Sequence, residues 1–183
     1  ENEILNDEDG ELSYSVTSYF DTLRTSFDDD GSSLSGIIGW AYDGNPIYGS
    51  YSSVDPENVN SGIKTMTTGY AKDISNVVDR PSTTEFPLGF FVEDYKYDNQ
   101  NGDLDRNNGR FAKTEEFPNG VYAYYASINP ITKNPEFPYF IGDTFRSNTV
   151  DENRTLDQKF NFNNSSLSRN TLPYKISELN ADN

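Results

Sequence analysis

The stretch Ile37 to Tyr51, IIGWAYDGNPIYGSY, limits the fold more than any other part of this sequence. Apolar runs on either side enclose Asp43-Gly44-Asn45-Pro46. Gly44 is suited to a positive φ, Asp43 to bonding the backbone two residues on, and Pro46 holds Asn45 extended. The segment therefore predicts strand, tight turn, strand. It also contains the only Trp of the chain, Trp40, the side chain with the most apolar area to bury, so Trp40 is expected in the core.

The rest of the chain reads as extended structure broken by turns. Leu12, Tyr14, Val16, Ser18 and Phe20 alternate with polar or small residues over Leu12 to Phe20, the period of a half-buried strand. Further strands are predicted near Ile63 to Thr68, over Phe86 to Tyr97 and over Val121 to Ile128, with a helical turn at Pro56 to Val59. Beyond Asp143 the apolar residues thin out to isolated anchors. The sequence thus predicts an arm over 1–11, a β domain over 12–142 and an extended C-terminal arm over 143–183. That arm would dock on another surface through Leu156, Phe160, Phe162 and Tyr174. The expected fold is mainly β, an antiparallel sandwich-like or irregular domain with long loops and little helix. Its expected core includes Trp40, Tyr42, Ile47, Phe91, Val121, Ala123, Phe140 and Ile141.

Composition narrows the function. Hydrophobic residues make up only 33%, but aromatics make up 14%, so a folded core with long polar loops reconciles the two. A formal charge of -16 repels phosphate backbones and anionic lipid, so neither nucleic acid nor membrane is an expected partner. No run approaches the length of a membrane span, and no basic start precedes an apolar segment. The chain opens at Glu1 rather than Met and reads as a processed product or a piece of something longer.

The chain has no His and no Cys, which excludes Ser-His-Asp triads, Cys-His pairs, disulfides and histidine or thiolate metal sites. Paired carboxylates such as Glu93 or Asp94 with Asp103 or Asp105 are formally available for glycoside hydrolysis. In so acidic a chain any two can be nominated, and the expectation is a protein that is not an enzyme. Asp103, Asp105 and Asn107 sit at alternate positions before Asn108-Gly109, approximating the opening of a calcium loop. Calcium is the one cofactor the spacing admits. Against it, Asn108 replaces the turn glycine and Thr114 the terminal Glu, and the same residues would serve as turn formers bonding their own backbone. Asp28-Asp29-Asp30 is a second acidic cluster that reads as a solvated turn.

Two blocks carry a family resemblance. Gly39 to Gly49, GWAYDGNPIYG, and Leu104 to Phe111, LDRNNGRF, continued by Glu116 to Tyr125 and Phe137 to Gly142, resemble the signatures of the YHYH domain family. The likeness covers about Leu34 to Gly142. The histidines for which the family is named are missing here, so no role of theirs transfers. The form that includes Phe86 to Tyr95 and Arg169-Asn170-Thr171-Leu172-Pro173-Tyr174 is similar to domains within large virion proteins of tailed, often marine, phages. The resemblance implies a virion structural component, in a tail, baseplate or other appendage, whose partners are other virion proteins or copies of itself. The alternative is an extracellular, adhesin-like domain that holds glycans through its aromatic residues, assisted by calcium.

Overall fold

A computed structural model describes residues 24–75 and 77–148, together with two short strands nearer the N-terminus, β1 (Leu5–Asn6) and β2 (Leu12–Ser13), which pair antiparallel. The chain is mainly β, and the sequence-predicted hairpin is its organising unit. β3 (Ile37–Trp40) and β4 (Pro46–Tyr48) run antiparallel, with a register shift between Ile37 and Gly39. The turn closes as the residues dictate. Gly44 takes φ +83°, its N–H donates to the Ala41 carbonyl at 2.9 Å, and the Asn45 N–H donates to Asp43 Oδ1 at 3.2 Å.

Next comes the hairpin β5 (Tyr51–Asp55) and β6 (Asn58–Thr65). Then β7 (Tyr70–Lys72) pairs with β8 (Tyr95–Tyr97), and β9 (Gly109–Ala112) pairs with β10 (Val121–Tyr125). β10 inserts beside β4 and makes a four-stranded sheet in the order β3-β4-β10-β9. The β4–β10 pair is parallel, with Tyr124 opposite Ile47 and Tyr125 opposite Tyr48. This departs from an all-antiparallel sheet. A parallel neighbour needs a long crossover, and here the intervening chain supplies it while folding two hairpin-like pairs of its own.

Alternation along β10 sorts its side chains. Ala123 and Tyr125 enter a buried cluster with Tyr48, Met66 and Leu104, and Ile37 and Val121 pack against it. The rings of Tyr48 and Tyr125 stack with centroids 5.7 Å apart. A second cluster joins Tyr51, Ala126 and Ile128, with Ile38, Tyr139 and Phe140 against it.

Phe91 and Ala123 are fully buried as expected, and Ile47, Val121, Phe140 and Ile141 are half-buried. Trp40 and Tyr42 are not core residues: they are 60% and 43% exposed. β3 is the outer strand of its sheet, and the interior is already filled by Tyr48, Met66 and Tyr125. Phe86 to Tyr97 is not one strand. Pro87 and Gly89 (φ +97°) bend the chain, Val92–Asp94 forms a 3-10 turn, and only Tyr95–Tyr97 pairs. The helical turn expected at Pro56 to Val59 is the reverse turn of the β5–β6 hairpin, where the Glu57 N–H donates to Asp55 Oδ1 at 2.9 Å. The anchors Leu156, Phe160, Phe162 and Tyr174 lie outside the described residues, as do residues 14–20 of the first predicted strand.

Candidate functional site

Two tyrosines of β10 join the two sequence blocks. Tyr122 and Tyr124 lie two apart on one strand and so share a face. The Tyr122 hydroxyl donates to Asp105, 2.8 and 3.0 Å from its two carboxylate oxygens. The Tyr124 hydroxyl donates to Asp43 Oδ2 at 2.7 Å, and it accepts from the Arg146 N–H at 2.7 Å. The Ser147 N–H also reaches Asp43 Oδ2, at 3.0 Å, while the Arg146 guanidinium lies 5.5 Å from the Tyr122 ring centre. The start of the predicted C-terminal arm therefore packs on the domain's own sheet.

Burial opposes ionisation of Asp43, but the Tyr124 hydroxyl, the Ser147 N–H and Asn45 outweigh it and hold the carboxyl below its ordinary value. The tyrosines move the other way. Burial, with the adjacent carboxylates, raises Tyr122 and Tyr124 above the usual phenol range, and burial raises Tyr95 to about 12. A group whose folded value is raised stabilises the fold fully below its unfolded value and loses that contribution as pH climbs through the folded one. Stability is therefore expected to fall from about pH 10 upward, the unfolded tyrosine value. Tyrosinate absorbance should rise together with loss of β circular dichroism. Ionisation of these tyrosines in a still-folded chain at about pH 10 would contradict the assignment.

The Asp98 to Gly109 loop resolves into separate tasks. Asp103 accepts from Lys64 Nζ at 2.5 Å and from Thr67 Oγ1 at 2.8 Å, which ties the loop to the end of β6. Asp105 accepts from the Asn107 and Gly109 N–H groups at 2.9 and 3.2 Å, the backbone-capping role its residue type favours. Asn107 turns its amide to the Thr144 carbonyl at 2.7 Å. A calcium ion here would have to compete with Lys64 for Asp103 and with Tyr122 for Asp105. Among the described residues, no group of three or more Asp or Glu side chains is placed to hold a metal. The aspartates at 28–30 are likewise divided. Asp29 is buried, where it accepts from the Ser35 hydroxyl and, at 2.8 Å, from the Ser50 N–H, while Asp30 faces solvent and accepts from the Ser32 N–H.

Sequence reasoning missed Arg80. Its Nε and Nη2 reach the two carboxylate oxygens of Asp94 at 2.6 and 2.8 Å, and both side chains are buried. The Gly89 and Phe91 N–H groups complete the Asp94 shell at 2.7 and 3.2 Å, and Arg80 also donates to the carbonyls of Pro81, Phe86 and Pro87. Asp94, one of the nominated acids, thus serves to fold the 80–94 loop. The one signal in the sequence was a lone Arg before an aromatic-rich, Pro- and Gly-containing run.

The surface feature that stands out is the β3 edge. No strand lies on its outer side among the described residues. Trp40, at the end of that edge, has Phe117 edge-on with ring centres 6.5 Å apart and is otherwise largely open. Tyr42 follows it, also exposed. An unpaired strand edge displays backbone donors and acceptors to a partner, and an exposed aromatic beside it supplies the apolar contact.

No helix among the described residues is long and apolar enough to cross a membrane. No curated protein and no solved structure matches the chain. A family model described as "YHYH protein" matches residues 13–137, well over half of the sequence and both of the blocks joined by Tyr122 and Tyr124, so the chain belongs to the YHYH protein family.

Proposed function

We propose that this chain is a structural module of a tailed-phage virion, in a tail, baseplate or other surface appendage, and that it acts by protein–protein assembly. The observation that supports the reading is the open β3 edge ending in the exposed Trp40. Large aromatics concentrate binding energy at protein interfaces, whereas a lone solvent-facing Trp does little for a fold. The partner is a second copy of the chain or a neighbouring virion protein that adds its own strand to this edge. The charge of -16 suits a partner with basic residues at its rim and disfavours nucleic acid. The phage context comes from the resemblance of the form that includes Phe86 to Tyr95 and Arg169 to Tyr174 to domains within virion proteins.

The test is Trp40→Ser. As an exposed position it should change folding stability by no more than about 0.5 kcal/mol. Incorporation of the chain into particles should fall roughly thirtyfold, the loss of an interface hot spot of about 2 kcal/mol. Wild-type incorporation by the variant would overturn the reading.

A further inference from the structure

Away from the β3 edge, an open groove of about 500 Å³ runs between β7, β8 and the 129–139 segment. Its walls are half-buried rings. Tyr95 and Phe137 stack face to face, with centroids 4.2 Å apart and planes 14° from parallel, so each ring covers one face of the other and the pair is a rigid two-ring stack. Tyr70 meets Phe137 nearly at right angles at 5.3 Å, and Tyr139 does so at 6.1 Å. The polar lining is held in place. The Asn129 amide accepts from the Ile131 and Thr132 N–H groups, at 2.9 Å each, and donates to Glu136 Oε1 at 2.9 Å. The amide is thereby fixed at both ends, and it orients the Glu136 carboxylate. Asn134 is exposed at the rim. The segment itself is anchored by the Ile128–Pro135 bridge and by the Glu136 N–H donating to the Ser127 carbonyl at 2.9 Å.

We infer that this groove is a binding site for a neutral carbohydrate chain, with a sugar ring lying on the outer face of the Tyr95–Phe137 stack and hydroxyls bonding Glu136 and Asn134. Three features select that ligand class. The charged lining residues are one cation, Lys72, and one anion, Glu136. Lys72 is already donating to the Leu88 carbonyl at 3.0 Å. An anionic ligand would therefore meet Glu136 and the chain's -16 charge, and an ammonium ligand would meet Lys72. Ring faces beside a fixed carboxylate and an amide match a ligand with apolar C–H faces and hydroxyl edges. The groove is partly open to solvent and within the size range of ligand sites, so it can admit a chain that continues beyond it. This inference uses a surface separate from Trp40 and stands or falls without the assembly reading.

The experiment titrates the full chain with maltohexaose, cellohexaose and chitohexaose, following backbone amide shifts by NMR. At least one should bind with shifts centred on residues 70–72, 95 and 129–139, and its affinity should not change between low and high salt. Asn134→Ala, at an exposed position, should weaken binding several-fold without moving the melting temperature. Tyr95→Ala should weaken it at least tenfold. No binding by any of the three, equal binding by Asn134→Ala and Tyr95→Ala, or shifts elsewhere on the chain would overturn the assignment. So would preferential, salt-sensitive binding of tetramethylammonium, which would make the groove an amine cage.

Discussion

Asp94→Ala is expected to destabilise the chain by about 3–5 kcal/mol, the typical loss when one partner of a buried ion pair is removed. The pair is out of water: Arg80 is 5% exposed and Asp94 not at all. Without the carboxylate, the guanidinium stays buried among the carbonyls of Pro81, Phe86 and Pro87 with no counter-charge, and the Gly89 and Phe91 N–H groups lose their acceptor. Such a loss is a large share of the ~5–15 kcal/mol that stabilises an ordinary domain. The pH dependence has a definite sign. Burial works against the Asp94 anion, but Arg80 and the two N–H groups outweigh it and lower its value in the folded state. Its contribution is therefore present above the ordinary Asp value of about 3.9 and is lost as pH falls through the lower folded value. Urea midpoints of the wild type should fall across that acid window, while those of Asp94→Ala should fall less. A loss below about 1 kcal/mol, at the level of an exposed pair, would contradict the burial assigned to this pair.

Asn108→Ala is expected to cost about 2–4 kcal/mol, from buried acceptors left unmatched and from backbone strain. Asn108 is fully buried with φ +64°, a conformation that Asn tolerates and Ala resists. Its Nδ2 donates to the Tyr125 carbonyl at 3.0 Å, to Ser127 Oγ at 2.8 Å and to the Phe140 carbonyl at 3.3 Å. One amide thus ties the end of β10 to the 139–142 segment. Two further substitutions separate its two contributions. Asn108→Gly keeps the positive φ and should recover about 1 kcal/mol relative to Ala. Asn108→Asp keeps the shape but points a carboxylate at carbonyl oxygens, and it should melt lowest of the three. Thermal melts in any other order would assign the residue a different role.

Local chemistry made part of this structure legible. Asp43, Gly44, Asn45 and Pro46 encode their turn through bonds that span only a few residues, so the hairpin could be read directly. The same holds for Asp105, whose capping of Asn107 and Gly109 is a property of its side-chain length. What could not be read depends on distant pairing. Whether Trp40 is inside or outside is decided by β10 taking the inner side of β4 and leaving β3 at the edge. That parallel contact joins Ile47 to Tyr124 across a long crossover. Arg80 gave no sign of its partner because its pairing with Asp94 exists only once Pro87 and Gly89 have bent the loop. Asp103 and Asp105 have ligand-like spacing in sequence, but Lys64 and Tyr122 reach them from elsewhere in the fold.

Tyr122 and Tyr124 hold the two family blocks together from inside the domain, which leaves the open β3 edge as the surface proposed for assembly. A side-chain-resolution reconstruction of the particle proposed to carry this chain tests that directly. The account predicts a strand from another subunit hydrogen-bonded along Ile37–Trp40, with the Trp40 ring covered by that subunit. A particle in which the β3 edge and Trp40 still face solvent would contradict it.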